Sequence, residues 1–199
     1  MADEVPLKGQ TAMQYEAGLT HEFLENMQAG VSYYYYDVSD YIATWSTSTD
    51  YARGYSYNVD SVKIQGLELS LSRSITARFN GFASYAYQSY DIEDSFAGTA
   101  DWYYFDLNPK HSFNLGLRYR ALKNTMLAVD FHGKSSRGTR GGTDLPGYTL
   151  TDLSVEQSLF ENKAKAILYI NNLFDKEYEE TFGYPMPGTN FGFRLKLNF

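Results

Sequence analysis

The sequence predicts an all-β chain: an antiparallel transmembrane β-barrel portion of about nine long strands, with short turns on one rim and long loops on the other. Three observations carry this reading. Apolar and polar residues alternate with period two along most of the chain, the pattern of strands with one oily and one wet face. Aromatic residues make up 17% of the 199 residues, and 19 of them are Tyr, whose apolar ring and wet hydroxyl suit strands and polar–apolar boundaries. Connections between the alternating stretches switch regularly between tight and long.

The strands follow in order. In "MQYEAGLT", Met13, Tyr15, Ala17 and Leu19 oppose Gln14, Glu16, Gly18 and Thr20, giving a first strand over about 11–24. A second covers 27–44, including "YYYYDVSDY" (33–41). A third, over 55–73, contains Leu67, Leu69 and Leu71 between Gly66, Glu68 and Ser70. The fourth, 77–91, is the least regular, because Phe79 and Phe82 fall on opposite faces. Next come 110–120, with Phe113, Leu115, Leu117 and Tyr119 against Asn114, Gly116 and Arg118, and 125–135, with Leu127, Val129 and Phe131 against Asp130 and His132. Strands over 147–159 and 163–172 follow, and the ninth, 188–199, alternates Phe191, Phe193, Leu195, Leu197 and Phe199 with Gly192, Arg194, Lys196 and Asn198. Tight turns are expected at 25–26, 74–75, 121–124 and 161–162, and long polar loops at 45–54, 92–109, 136–146 and 173–187.

Composition narrows the function. A net charge of −7 argues against nucleic acid, which requires a basic face. Cysteine is absent, which removes disulfides, thiolate metal sites and cysteine nucleophiles. His21, His111 and His132 lie in unrelated segments, so a zinc cluster is not expected; Asp130 and His132 share a face, but two ligands do not make a site. No apolar run reaches the ~18 residues of a spanning helix, and "MADEVPLKGQ" lacks the basic and apolar regions of a signal peptide. No nucleophile elbow, phosphate loop or dinucleotide fingerprint occurs, so the chain is read as a non-enzyme without a cofactor.

A soluble β-sandwich also alternates, but its strands run about 5–6 residues. The stretches here are long enough to cross a bilayer when tilted, which takes about 9–11 residues. The charges Glu16, Glu68, Arg118, Asp130, Glu156, Lys165, Arg194 and Lys196 all fall on the polar face. On a lipid face each Arg or Lys would cost about 2–4 kcal/mol at the midplane. Facing a wet lumen, they cost little and can pair across strands.

The stretch "NNLFDKEYEETFGYPMPGTNFGFRLKLNF" (171–199) resembles the C-terminal signature of TonB-dependent outer-membrane receptors. In the same order, "QYEAGL" (14–19), "VKIQGLELSLS" (62–72), "NPKHSFNLGLRY" (108–119) and "LPGYTLTDLSVE" (145–156) resemble upstream landmarks of that family. The resemblance implies a 22-stranded barrel with an N-terminal plug, a TonB box and substrate bound on the extracellular side. Against that pattern, residues 1–10 are an irregular N-terminal segment and 11–199 the C-terminal part of the receptor barrel, with plug and TonB box absent. "FGYPMPG" resembles the iron-complex and vitamin B12 branch, although family members often carry Arg where Thr189 stands.

Nine antiparallel strands cannot close on themselves, because the first and last run the same way. The expected partners are therefore the lipid bilayer, the outer-membrane assembly machinery, and either the missing N-terminal receptor part or a self-partner. The resemblance also implies that a terminal aromatic, here Phe199, belongs to the signal read by the assembly machinery. Trp102, Tyr103 and Tyr104, in "DWYYFDL", are the candidate ligand contacts; Tyr33 and Tyr35 read as boundary girdle residues. "NLFDKEYEE" (172–180) is read as a solvated turn with local backbone bonds rather than an acid–base or calcium site. The expectation is a barrel-wall segment of a receptor for ferric-siderophore or cobalamin-type metal chelates, in the outer membrane of a Gram-negative bacterium, not transport-competent alone. The alternatives are a stand-alone small barrel or oligomeric β-sheet membrane protein and a soluble glycan-binding β-sandwich.

Overall fold

The computed structural model describes residues 6–46, 54–93, 108–138 and 144–197. Its long strands are β1 (Thr11–Glu22), β2 (Met27–Ser46), β3 (Gly54–Thr76), β4 (Phe79–Glu93), β5 (His111–Leu122), β6 (Thr125–Lys134), β7 (Tyr148–Leu159) and β8 (Ala164–Asn171). A small hairpin, β9 (Glu179–Thr181) and β10 (Tyr184–Pro185), precedes the last strand, β11 (Asn190–Leu197). All nine long strands form one antiparallel sheet in the order β1-β2-β3-β4-β5-β6-β7-β8-β11. This is one continuous wall, with no second sheet of comparable size facing it among the described residues, so the sandwich alternative is set aside. The wall ends in two edges, β1 and β11, which run in the same direction.

The register explains why alternation was so regular. Residues paired across strands share a face, so one row runs Leu19–Val31–Leu69–Tyr85–Phe113 and continues the same oily surface. A second row runs Leu117–Val129–Leu153–Ile170–Phe191. These side chains are open to the surroundings: Leu19 is 66% exposed, Leu69 42% and Phe191 86%. An apolar surface of this extent is what a hydrocarbon layer covers. Tyr15 and Tyr35 lie on this face with ring centroids 6.5 Å apart, and the Tyr33 hydroxyl reaches Gln65 Oε1 at 3.2 Å, in keeping with a boundary position.

Phe79 and Phe82 do point to opposite faces, Phe79 pairing with Tyr119 and Phe82 with Gly116. The turn before them differs from the expected 74–75. β3 continues through Ile75 to Thr76, whose Oγ1 accepts from the amides of Arg78 (3.2 Å) and Phe79 (3.0 Å). That hydroxyl closes the turn over Ala77 and Arg78. The expected 173–187 loop is also more structured than its composition implied, since it contains the β9–β10 hairpin.

β2 and β3 are the longest strands, at 20 and 23 residues, and project past the other strands at the long-loop rim. There Val38, Val59 and Val62 form a small buried cluster, packed on by Tyr57, Ile64 and Ile92. Asp40, at φ 52°, interrupts the ladder and meets Lys8 Nζ at 3.2 Å, while its carbonyl takes Asn58 Nδ2 at 2.7 Å.

Candidate functional site at the polar face and its outer mouth

The polar face repeats one local device. Where a strand reads Gly-x-Arg, an aromatic ring from the neighbouring strand lies over the glycine and the arginine caps the ring. Phe82 lies opposite Gly116, and the Arg118 guanidinium sits 5.6 Å from the ring centroid. Tyr169 lies opposite Gly192, with Arg194 at 5.8 Å. A Cβ at Gly116 would overlap the Phe82 ring, so the glycine is required by close approach. Tyr34 covers Gly66 in the same way, with Glu68 two residues on. "GLR", "GFR" and "GLE" were the sequence signal for this arrangement, and alternation alone did not reveal it.

Charges on this face pair across strands, as expected for a wet surface. Arg118 Nη2 meets Asp130 Oδ1 at 2.7 Å, and Lys165 Nζ meets Glu156 Oε1 at 2.6 Å. Asp130 is thereby engaged by arginine, while His132 Nδ1 lies 3.9 Å from Asp152 Oδ2. Among the described residues no three His, Asp or Glu side chains gather as a metal site.

At the long-loop end, two connections meet. Between β6 and β7, Arg137 and Leu145 exchange backbone hydrogen bonds of 3.1 and 2.8 Å, closing the neck of that loop. Between β8 and β11, the "NNLFD" start is held by its own side chains. Asn172 Oδ1 accepts from the Lys176 amide at 2.8 Å, and Asp175 Oδ1 from the Thr189 amide at 2.7 Å. Thr189, standing where the family often has Arg, uses its hydroxyl to close the loop on the Asn172 carbonyl at 2.7 Å.

The expected solvated turn at 172–180 keeps Glu180 on the surface, its side chain 38% exposed, but that carboxylate is also paired with cations from the wall. Its carboxylate accepts from Lys134 Nζ (3.1 Å), Arg137 Nη2 (3.2 Å) and the Tyr148 hydroxyl. Burial alone would raise its pKa. The bonds from Tyr148 and Lys134 and the charges of Lys134 and Arg137 outweigh that and hold it below the ordinary carboxylate value. Tyr178 packs at a tilt against Tyr148, centroids 4.5 Å apart, and its hydroxyl is pushed up by burial and by Glu180 and Asp152. The missed partners lie more than thirty residues upstream of Glu180, beyond the reach of any local pattern.

The expected ligand contacts Trp102, Tyr103 and Tyr104 lie outside the described residues, as does Phe199. The site that can be built from described side chains is the polar face and the Lys134–Arg137–Tyr148–Glu180 cluster at its outer mouth.

Residues 2–173 match the family model described as TonB dependent receptor-like, beta-barrel. The chain belongs to this family. The ferrioxamine receptor of Yersinia enterocolitica is 28% identical over 186 residues, covering 89% of this chain and 25% of that protein. The chain thus spans about a quarter of that relative's length. Among solved structures, the copper transporter OprC aligns over 98% of this chain and 32% of its own, with a TM-score of 0.80 at 20% identity. The FrpB iron transporter of Neisseria meningitidis aligns over 95% and 31%, with a TM-score of 0.76 at 18% identity. The ferric-catecholate import receptor Fiu of E. coli gives 0.71 at 21% identity, over 95% and 27%. At these identities the structural matches speak for the fold. By their names these proteins are receptors and transporters rather than enzymes.

Proposed function

We propose that this chain forms part of the wall of an outer-membrane receptor that imports a metal chelate, in a Gram-negative bacterium. One observation carries the reading: in a member of this receptor family, a continuous exposed apolar face backs onto a charged, internally paired face. The apolar face lies against lipid, the polar face lines the lumen, and the long loops face outward. The cargo is a ferric siderophore or a cobalamin-type chelate; the relative named as a ferrioxamine receptor favours the siderophore. Trp102, Tyr103 and Tyr104 contact the cargo, and Phe199 is read by the assembly machinery. Two edge strands running the same way support the further reading that the chain does not transport alone and closes with the N-terminal part of a receptor.

The test is uptake of radiolabelled ferrioxamine in receptor-deficient cells. These would express the chain with or without the N-terminal three-quarters of the Yersinia receptor, with membrane fractionation of the chain. Membrane association and uptake only on co-expression are expected. Full recovery in detergent-free buffer would sink the barrel reading. A stable membrane assembly that never supports uptake would instead favour a small β-sheet membrane protein without transport.

A further inference from the structure

The Glu180 cluster does more than satisfy one carboxylate. Arg137 is 7% exposed, and Nη1 has no partner among the described residues, so its charge is balanced through Nη2 alone. That nitrogen reaches three acceptors on the hairpin. It meets the Glu180 carboxylate at 3.2 Å and donates to the carbonyls of Glu179 (3.3 Å) and Glu180 (2.8 Å). Lys134 and Tyr148, at the ends of β6 and β7, hold the same carboxylate from the wall side. Below, the Asn172 amide donates to Asp152 Oδ1 at 2.8 Å and the Leu173 amide to the Thr151 carbonyl at 2.8 Å. Above that base, among the described residues, the polar side-chain contacts between the 172–189 connection and β6, β7 or the loop joining them converge on Glu180 and its neighbour's carbonyl.

We propose that the described ends of the β6–β7 connection (135–138 and 144–147) and the 172–189 connection form one unit latched by Glu180, and that they open together. Glu180 is the only carboxylate paired with Arg137 among the described residues, and a buried guanidinium that loses its partner is left uncompensated, so Arg137 does not stay packed once the hairpin leaves. Release of the hairpin therefore also releases the neck between Arg137 and Leu145. The base at Asp152 and Thr151 stays bonded and serves as the hinge. This coupling stands on the two loops alone and is independent of which cargo the mouth admits.

The experiment is hydrogen–deuterium exchange on the full chain refolded in detergent micelles, comparing the native protein with Glu180→Gln, Arg137→Gln and the double variant. Glu180→Gln keeps the shape and removes the charge. It is expected to speed exchange about tenfold both in 135–138 with 144–147 and in 174–189, with the amides of the nine-stranded sheet unchanged. The double variant should add little to either single change, because one latch is being broken. Faster exchange in one loop only, or in neither, overturns the proposal, as does additivity of the two substitutions. If Glu180→Gln does not fold, Tyr148→Phe removes one donor from the same carboxylate and must move both loops in the same direction, by a smaller factor.

Discussion

The wall and its outer mouth are built on opposite logics. On the wall each residue's partner is dictated by strand register, so Phe82 meets Gly116 and Leu117 meets Val129 once the turns are placed. At the mouth the partners of Glu180 come from positions 134, 137 and 148, and no repeat connects them. The wall distributes its stability over many equivalent pairs, while the mouth depends on individual side chains such as Asn172, Asp175, Thr189 and Glu180. Substitutions should therefore act differently: wall changes should alter insertion and global stability, mouth changes only the loops.

The largest effect is expected at Leu117, inside the apolar row. Leu117→Arg places a guanidinium against hydrocarbon and should cost about 2–4 kcal/mol near the midplane. Urea titration of the chain in phospholipid vesicles reads this directly. Glu180→Gln in the same assay should leave the global midpoint almost unmoved. Equal losses for both would erase the distinction between wall and mouth.

A smaller loss is expected at Gly116, on the opposite face of the same strand. Gly116→Val collides with the Phe82 ring, which must turn away and give up the Arg118 guanidinium stacked on it. Overpacking of this kind costs about 1–3 kcal/mol. Pairing it with Phe82→Ala sharpens the point, because removing the ring should relieve much of the valine's cost in a double-mutant cycle. No relief would mean that the glycine serves the backbone alone.

This contrast also explains what the sequence disclosed. Long strands, faces, turn rims and the sheet's odd count were legible because period-two alternation encodes which side each residue takes. The turn over Ala77 and Arg78 was missed because Ile75 continues the apolar pattern and Thr76, not a turn dipeptide, closes the chain. The Gly-x-Arg device was visible as letters, but only the register shows that an aromatic faces each glycine. Glu180 is one of several exposed carboxylates in "DKEYEE". Its distinction is the pair of cations delivered by β6 and the β6–β7 loop, which depends on how strands far apart in sequence are placed.

The mildest test is acid. Glu180 titrates below its ordinary value of 4.5 when the latch is closed. A carboxylate depressed in the folded state stabilises it above the unfolded value, and that contribution falls away as pH drops through the folded value. The groups facing Glu180 are Lys134, Arg137 and Tyr148 from β6, its loop and β7, with Tyr178 and Glu179 beside it and Asp152 beneath. Exchange in 174–189, corrected for the intrinsic chemical rate, should therefore be flat from neutral pH to about 5 and rise below about 4.5. In Glu180→Gln the loops should already exchange fast at neutral pH and show a weaker acid rise. Every other facing group is the same in both proteins, so the comparison isolates Glu180. A rise of the same size in the variant would show that the acid sensitivity does not come from the Glu180 latch.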